Sequence, residues 1–383
     1  MSDVEALDRI DWNFPSTGTA ARTVHSGRSF PGNFIPQIPA HLIAALSTSG
    51  DTVFDPFSGS GTTAVEALNL GRRSISSDRI TASVHLTRSK VRSFLSPTTQ
   101  ETRYELLSAL AWPHLSKTND HGNLGEGANS ELERWIAGST LAQLRYIWKL
   151  IEQQPAFARD PLKLVFSDVL FSCASPGRSL TATGRARRHH WGWIADNVYP
   201  EHVVEHDPIE LFLRKLDGLP SQAPNQAWSD DDYIVIQQDA KQLSLPENSV
   251  DLIVTSPPYV GMIDYARANR ILYLWNGWDI EEDQSAEIGA RYKRFRKEAQ
   301  AQYLHEIDAC WLELDRVLKP GKYLAIVIGE SKKFKGTVQQ ALSLLERLMP
   351  CVWGPTPRIP TRRRVSDRNA SDPLEYVCVY QKP

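Results

Sequence analysis

The chain has 383 residues, enough for one large domain or two modest ones, and its net charge of -2 implies no global attraction to nucleic acid. Hydrophobic residues make up 41% and charged residues 23%, the balance of an ordinary globular protein rather than a disordered or fibrous one. No apolar stretch is long enough to span a membrane, and the acidic start Met1-Ser2-Asp3-Val4-Glu5 lacks the apolar core of a signal peptide, so a cytoplasmic location is the expectation.

Residues 1–24 read as a loose leader, followed by a Pro/Gly-punctuated loop and a helix over 40–47. Residues 52–57 predict a short buried strand, 62–70 a helix, 73–77 a second strand and 82–94 a second helix. Strand and helix in alternation argue for a parallel sheet covered on both faces. From 99 to 230 the pattern changes to helices, expected over 101–111, 131–154, 161–171 and 208–216, with a polar Gly/Ser/Thr/Arg loop before the last. Residues 220–232 resemble a linker, and strands then return at 233–237, 250–254, 323–328, 351–353 and 376–380. A long helix over 299–317 precedes the stop signal Lys319-Pro320-Gly321. The expected organisation is a leader (1–24), one α/β domain in two parts (25–98 and 231–383), and a mostly helical insertion (99–230). About seven strands suit a doubly wound sheet.

The four cysteines, Cys173, Cys310, Cys351 and Cys378, are scattered and form no C-x-x-C pair, so neither a disulfide framework nor a zinc site is indicated and no metal is expected. Short basic runs stand out at Arg185-Ala186-Arg187-Arg188, at residues 291–297 and at Arg362-Arg363-Arg364; such runs are more often solvated faces than binding sites.

Two stretches carry chemistry. In Asp55-Pro56-Phe57-Ser58-Gly59-Ser60-Gly61-Thr62-Thr63, glycines at a strand-to-helix turn let backbone approach a ligand at a helix N-terminus. A tight corner between strand and helix is the competing reading. The stretch is neither a Walker A loop, having no Gly-Lys-Ser/Thr, nor the full six-residue dinucleotide fingerprint. Asp78, about 20 residues beyond the glycines, is placed to bind the two ribose hydroxyls of an adenosine ligand, or else to cap the following helix. Asp239, after the third strand of the sheet, is placed to accept from an adenine amino group.

The second stretch is Thr255-Ser256-Pro257-Pro258-Tyr259, after the apolar run Val250-Asp251-Leu252-Ile253-Val254. Neither proline donates to a ladder, so the strand stops abruptly. Rigid outward carbonyls beside a tyrosine suit an exocyclic amine: carbonyls accept its hydrogens and the ring stacks on its base. A strand terminator with a packing tyrosine is the alternative.

On these motifs the chain resembles the amino-methylating DNA methyltransferases that use S-adenosyl-L-methionine. Asp55 to Thr63 resembles their cofactor loop, and Thr255 to Tyr259 their catalytic motif in the form most often found in enzymes acting on cytosine N4. Phe30 to Gln37, with Phe34, resembles the segment that packs over the methionine part of the cofactor, and Leu245 to Asp251 the approach to the catalytic strand. The resemblance covers residues 25–95 and 233–382 and leaves most of the insertion outside. Two departures stand out: many cytosine-N4 enzymes place the catalytic motif before the cofactor loop, and the insertion falls between the second and third strands.

The resemblance implies a Rossmann-like methyltransferase fold, α/β and doubly wound, with a mostly parallel seven-stranded sheet and a helical insertion. Cofactor contacts are expected from Phe34, Asp55, Phe57, Ser58, Gly59, Gly61, Thr62, Thr63, Asp78, Asp239 and Thr255, and catalysis from Ser256, Pro257, Pro258 and Tyr259. The expected reaction is in-line displacement onto cytosine N4 of a base flipped from duplex DNA, without a covalent adduct. Adenine N6 and RNA guanine N2 are the alternatives. Carbon-5 methylation needs a cysteine nucleophile, and Cys351 in Pro350-Cys351 reads better as a core or strand-edge residue. DNA contacts are expected from Arg178, Arg185, Arg187, Arg188 and Trp191 in the insertion, and from Arg267 after the catalytic motif. A companion restriction endonuclease is the partner such an enzyme implies.

Overall fold

The computed structural model describes residues 4–14, 24–26, 32, 34–95, 130–174, 178–180, 186–188, 194–197, 199–200, 202–218, 228–359 and 375–383. At its centre is a sheet of seven strands: β1 (Thr52–Asp55), β2 (Arg73–Asp78), β5 (Tyr233–Gln237), β6 (Val250–Thr255), β7 (Leu318–Gly329), β8 (Cys351–Arg358) and β9 (Glu375–Gln381). Their spatial order is β5-β2-β1-β6-β7-β9-β8. The pairs β1/β2, β1/β6, β2/β5 and β6/β7 are parallel, while β9 runs antiparallel between β7 and β8. The chain therefore builds outward from β1 through β2 to β5, then returns to lay β6 on the other side of β1. That reversal opens a crevice at the carboxyl ends of β1 and β6, where doubly wound sheets bind ligands.

The central strands are apolar because both faces are covered; every residue of β6 is buried. Alternate side chains go to opposite layers. Val53, Leu252, Val254, Ala325 and Val327 pack with helix α1 (Gln37–Leu46), while Phe54, Ile253, Leu324, Ile326 and Ile328 pack with α10 (Ala299–Val317) and α11 (Thr337–Glu346). Helices α2 (Thr62–Asn69) and α3 (Thr81–Leu95) follow β1 and β2.

Residues 4–14 do not form the loose leader expected of them. A 3-10 turn over Glu5–Arg9 buries Leu7, and Trp12 lies against Trp353 with ring centroids 5.5 Å apart. The Trp353 indole N–H donates to Asp8 at 2.8 Å. The segment's spaced apolar residues cover the β8 end of the sheet, which would otherwise face water.

The insertion contributes α4 (Gly138–Glu152), α5 (Ala156–Cys173), α6 (Pro208–Asp217) and a small antiparallel hairpin, β3 (Arg178–Leu180) with β4 (Ala186–Arg188). The helix expected over 131–154 breaks at Ala137, whose backbone is extended, because Trp135 and Ile136 turn inward before α4 starts. The helix expected over 101–111 lies outside the described residues. Leu144, Leu162, Phe166 and Phe212 of the insertion share one core with Leu86 and Val91 of α3 and with Ile271 and Trp275. Three helices after the catalytic motif, α7 (Tyr265–Ala268), α8 (Arg270–Asn276) and α9 (Ile280–Ala286), together with α11, were not foreseen. Among the described residues no helix is long and apolar enough to cross a membrane.

Candidate active site

The cofactor-type loop leaves β1 at Asp55. Gly59 and Gly61 both take positive φ, and Gly61 caps α2 at +79°. A side chain at Gly61 would meet the Thr87 backbone at 3.0 Å, so a glycine lets this turn lie flat on α3. Two carboxylates hold the loop. Asp55 is buried and accepts from Phe57 N at 3.1 Å and from the Thr255 hydroxyl at 2.7 Å. Asp78, half-buried at the end of β2, accepts from Gly59 N and Ile80 N, each at 2.9 Å. The amide of Thr81, first in α3, is taken by Asp283 at 2.7 Å, so Asp78 ties the loop to the sheet while another acid caps the helix.

Burial pushes the Asp55 carboxyl up to about 6, with the Thr255 hydrogen bond the strongest pull the other way. It pushes Asp78 up to about 7 against the amides of Ile80 and Gly59. Two carboxyls short of compensation at the ends of adjacent strands favour a ligand that brings hydroxyl donors and positive charge. S-adenosyl-L-methionine has both, as ribose hydroxyls, an ammonium and a sulfonium, and the residues present fit it. Asp239 stands half-buried after β5, with one oxygen on Lys241 N at 2.9 Å and the other 3.4 Å from the Lys241 ammonium. Phe57 borders the core layer of α10 and Phe34 that of α1. Ser58, Thr62 and Thr63 are buried in the turn, and the Ser58 hydroxyl meets that of Thr87 at 3.2 Å. Phe30 and Asn33 of the predicted methionine-side segment lie outside the described residues.

The catalytic-type motif leaves β6 directly across from the loop. Its first residue, Thr255, makes the 2.7 Å bond to Asp55 that joins the two stretches across 200 positions of sequence. The Pro258 carbonyl is taken by the Tyr303 hydroxyl of α10 at 3.1 Å. The Tyr259 ring lies against the end of β7: a side chain added at Gly329 would come within 2.2 Å of it. Its hydroxyl is 3.4 Å from the Ser256 hydroxyl, and the ring stands near the carboxylate of Glu375, the residue paired with Gly329 in β9. Burial, then the Glu375 carboxylate, raises the phenol well above its ordinary range. Glu375 is paired in turn with the buried Arg358, whose Nε donates to the Trp12 carbonyl at 3.1 Å.

Glu375, Arg358, Tyr303 and Gly329 were not anticipated. A glycine closing an otherwise apolar strand is the one available signal, since it marks close approach of another group. Cys351 starts edge strand β8, with its thiol raised by burial and directed to Trp353 O at 3.4 Å, away from the crevice. Of the expected DNA contacts, Arg267 is half-buried on α7, and Arg178, Arg187 and Arg188 belong to the β3–β4 hairpin, where Arg178 pairs with Arg188 and Arg187 with Ser179. Arg185, Trp191 and residues 362–364 lie outside the described residues.

A seven-stranded sheet in this order, with one antiparallel strand and both candidate loops at the same switch point, is a Rossmann-like fold. Residues 4–87 match the DNA methylase family model. The chain is 22% identical over 412 residues to the Type II methyltransferase M.MjaII of Methanocaldococcus jannaschii, covering 85% of this chain and 76% of that protein. It is 22% identical over 343 residues to the Type II methyltransferase M.BsoBI of Geobacillus stearothermophilus, covering 79% of this chain and 64% of that one. TrmN from Thermus thermophilus matches 95% of the chain and 53% of its own length at 13% identity, with a TM-score of 0.34. By sequence, the chain is thus similar to DNA methylases over residues 4–87 and to Type II methyltransferases over most of its length.

Proposed function

We propose that this protein methylates the exocyclic N4 of cytosine within a specific sequence of duplex DNA, acting on a base flipped out of the helix. The observation that carries the reading is the 2.7 Å Thr255–Asp55 bond, which brings the donor-side loop and the amine-side motif together at one switch point. S-adenosyl-L-methionine supplies an electrophilic methyl carbon activated by the adjacent sulfonium.

The chain's own groups prepare the amine, a poor nucleophile because its lone pair is delocalised into the ring. The Ser256 and Tyr259 hydroxyls lie 3.4 Å apart, which sets the serine side chain beside the ring that stacks on the base. The Ser256 hydroxyl oxygen and the Pro257 carbonyl accept the two amino hydrogens, which favours a more tetrahedral nitrogen. Tyr259, packed against Gly329, stacks on the base. As the nitrogen bonds to the methyl carbon and the carbon–sulfur bond breaks, the nitrogen sheds a proton along these acceptors to solvent. Much of the rate then comes from positioning. The serine before Pro-Pro favours cytosine. A companion restriction endonuclease belongs to the reading as a partner, supported by the Type II names of both relatives.

The test is to incubate the protein with tritiated S-adenosyl-L-methionine and either duplex DNA or tRNA, then digest and identify the labelled nucleoside. Label in N4-methylcytosine is expected. Label in N6-methyladenine, or in RNA, overturns the assignment.

A further inference from the structure

Beside the catalytic motif lies a surface that none of the groups above uses. Gly261, two residues after Tyr259, touches two separate segments: a side chain there would come within 2.8 Å of the Phe334 ring and 3.2 Å of Arg294 Cβ. One segment, residues 291–297, has five basic residues and no acid; the other, 331–336, reads Ser-Lys-Lys-Phe-Lys-Gly. In a chain of net charge -2 this is a local concentration of positive charge at the edge where the substrate must approach. Arg296, Lys297, Lys332, Lys333 and Lys335 are all exposed.

At the tip stands Phe295, 76% exposed, more than any other large hydrophobic residue among those described. It is held in place. The Lys333 ammonium lies 4.2 Å from its ring centroid and donates to Arg294 O at 2.6 Å, and the Arg294 guanidinium lies 4.7 Å from the same ring. The turn beneath is anchored by buried Lys293, which donates to Glu287 O at 2.6 Å, and by Tyr292 N, which donates to Asp264 at 2.9 Å. An aromatic ring fixed upright in water costs hydrophobic free energy that a solvated charged face would avoid. Cations flanking an exposed ring are the combination that nucleic acid answers twice, with phosphates for the charges and a base or sugar face for the ring.

We propose that residues 294–297 and 332–335 form a second duplex-DNA contact beside the catalytic pocket, with the cations on backbone phosphates and Phe295 as an apolar wedge next to the flipped base. Wedging unstacked steps is how exposed apolar side chains hold distorted duplexes. This inference rests on the DNA reading above and assigns to it a contact outside the insertion.

The test uses the full chain and a labelled mixed-sequence duplex, with binding followed by anisotropy across a salt series. The double variant Arg296→Ala, Lys297→Ala should reduce the slope of log affinity against log salt by about 0.9 for each phosphate it no longer neutralises. Phe295→Ala should keep the slope and weaken duplex binding about tenfold. Neither variant should change S-adenosyl-L-methionine affinity by calorimetry. If the wild type binds and methylates DNA while both variants match it in slope and affinity, this surface is wrong and the functional reading survives. If the wild type does not bind duplex, or prefers RNA, both fall together.

Discussion

Gly329→Ala tests the proposed role of Tyr259 with a single methyl group. Gly329 does not need its glycine for backbone conformation, because its φ lies outside the left-handed region, so alanine introduces only a collision. The new Cβ would lie 2.2, 2.5 and 2.8 Å from three atoms of the Tyr259 ring. Ordinary contact requires the ring to retreat by about an ångström or more, yet its backbone is fixed by the Pro-Pro turn and its hydroxyl contacts that of Ser256. Overpacking of this kind costs about 1–3 kcal/mol of stability, and a reacting group misplaced by about 1 Å costs on the order of 100-fold in rate. Single-turnover methylation of a duplex should therefore slow about 100-fold, while S-adenosyl-L-methionine affinity by calorimetry stays within a factor of about two, since the loop at Asp55 is untouched. In a Tyr259→Ala background the same substitution should cost almost nothing further, because the ring it strikes is gone. Full activity in Gly329→Ala, or equal losses in both backgrounds, would refute the claim that the Tyr259 ring on β7 sets the base position.

Other outcomes follow from charge and burial. Lys90 is buried, with its ammonium on the Ser60 hydroxyl at 3.0 Å, and burial lowers it from 10.5 to about 7. The folded state favours the neutral amine, so Lys90's contribution to stability is complete above the unfolded value and is lost as pH falls through about 7. Denaturant titrations should therefore show the stability difference between wild type and Lys90→Met changing between about pH 7 and 10.5; a pH-independent difference rejects this. Arg358→Met leaves Glu375 buried without its cation and should destabilise by about 3–5 kcal/mol in urea unfolding; a loss below about 1 kcal/mol would mean that the pair is solvated. Trp12→Ala should cost about 3–5 kcal/mol, and near-neutral behaviour would return residues 4–14 to the status of a loose leader.

Much of the fold can be read from the sequence, because periodicity reports on local burial. Residues 299–317 and 233–237 form helix and strand over their predicted spans, and the loop and motif sit at strand ends because Gly-rich and Pro-Pro turns have few backbone solutions. The missed helices α7 to α9 follow one another with caps such as Asp279 rather than long apolar periods, and α9 opens with acids on a surface face. The insertion hides its break at Ala137 because Trp135 and Ile136 continue an apolar pattern that is settled by the core they meet. In the site, Asp55 and Thr255 each stand out in the sequence, but their contact depends on strand order. Glu375 and Arg358 carry no motif, and only the antiparallel placement of β9 beside β7 brings them under Tyr259.

The Thr255–Asp55 bond also bears on how the enzyme comes into being. Its partners are 200 residues apart, and the Tyr259 ring rests on a strand made later still. Contacts of such sequence separation form late and slowly. A ribosome-bound chain that has emerged only through the insertion carries the donor-side loop but neither β6 nor β7, and so has no floor for the amine. The proposed site is thus complete only once β6, β7 and β9 have been made, well after the loop and the insertion. A donor molecule captured at the switch point would favour the same long-range closure, so ligand supply should set the yield of folded enzyme as well as its turnover.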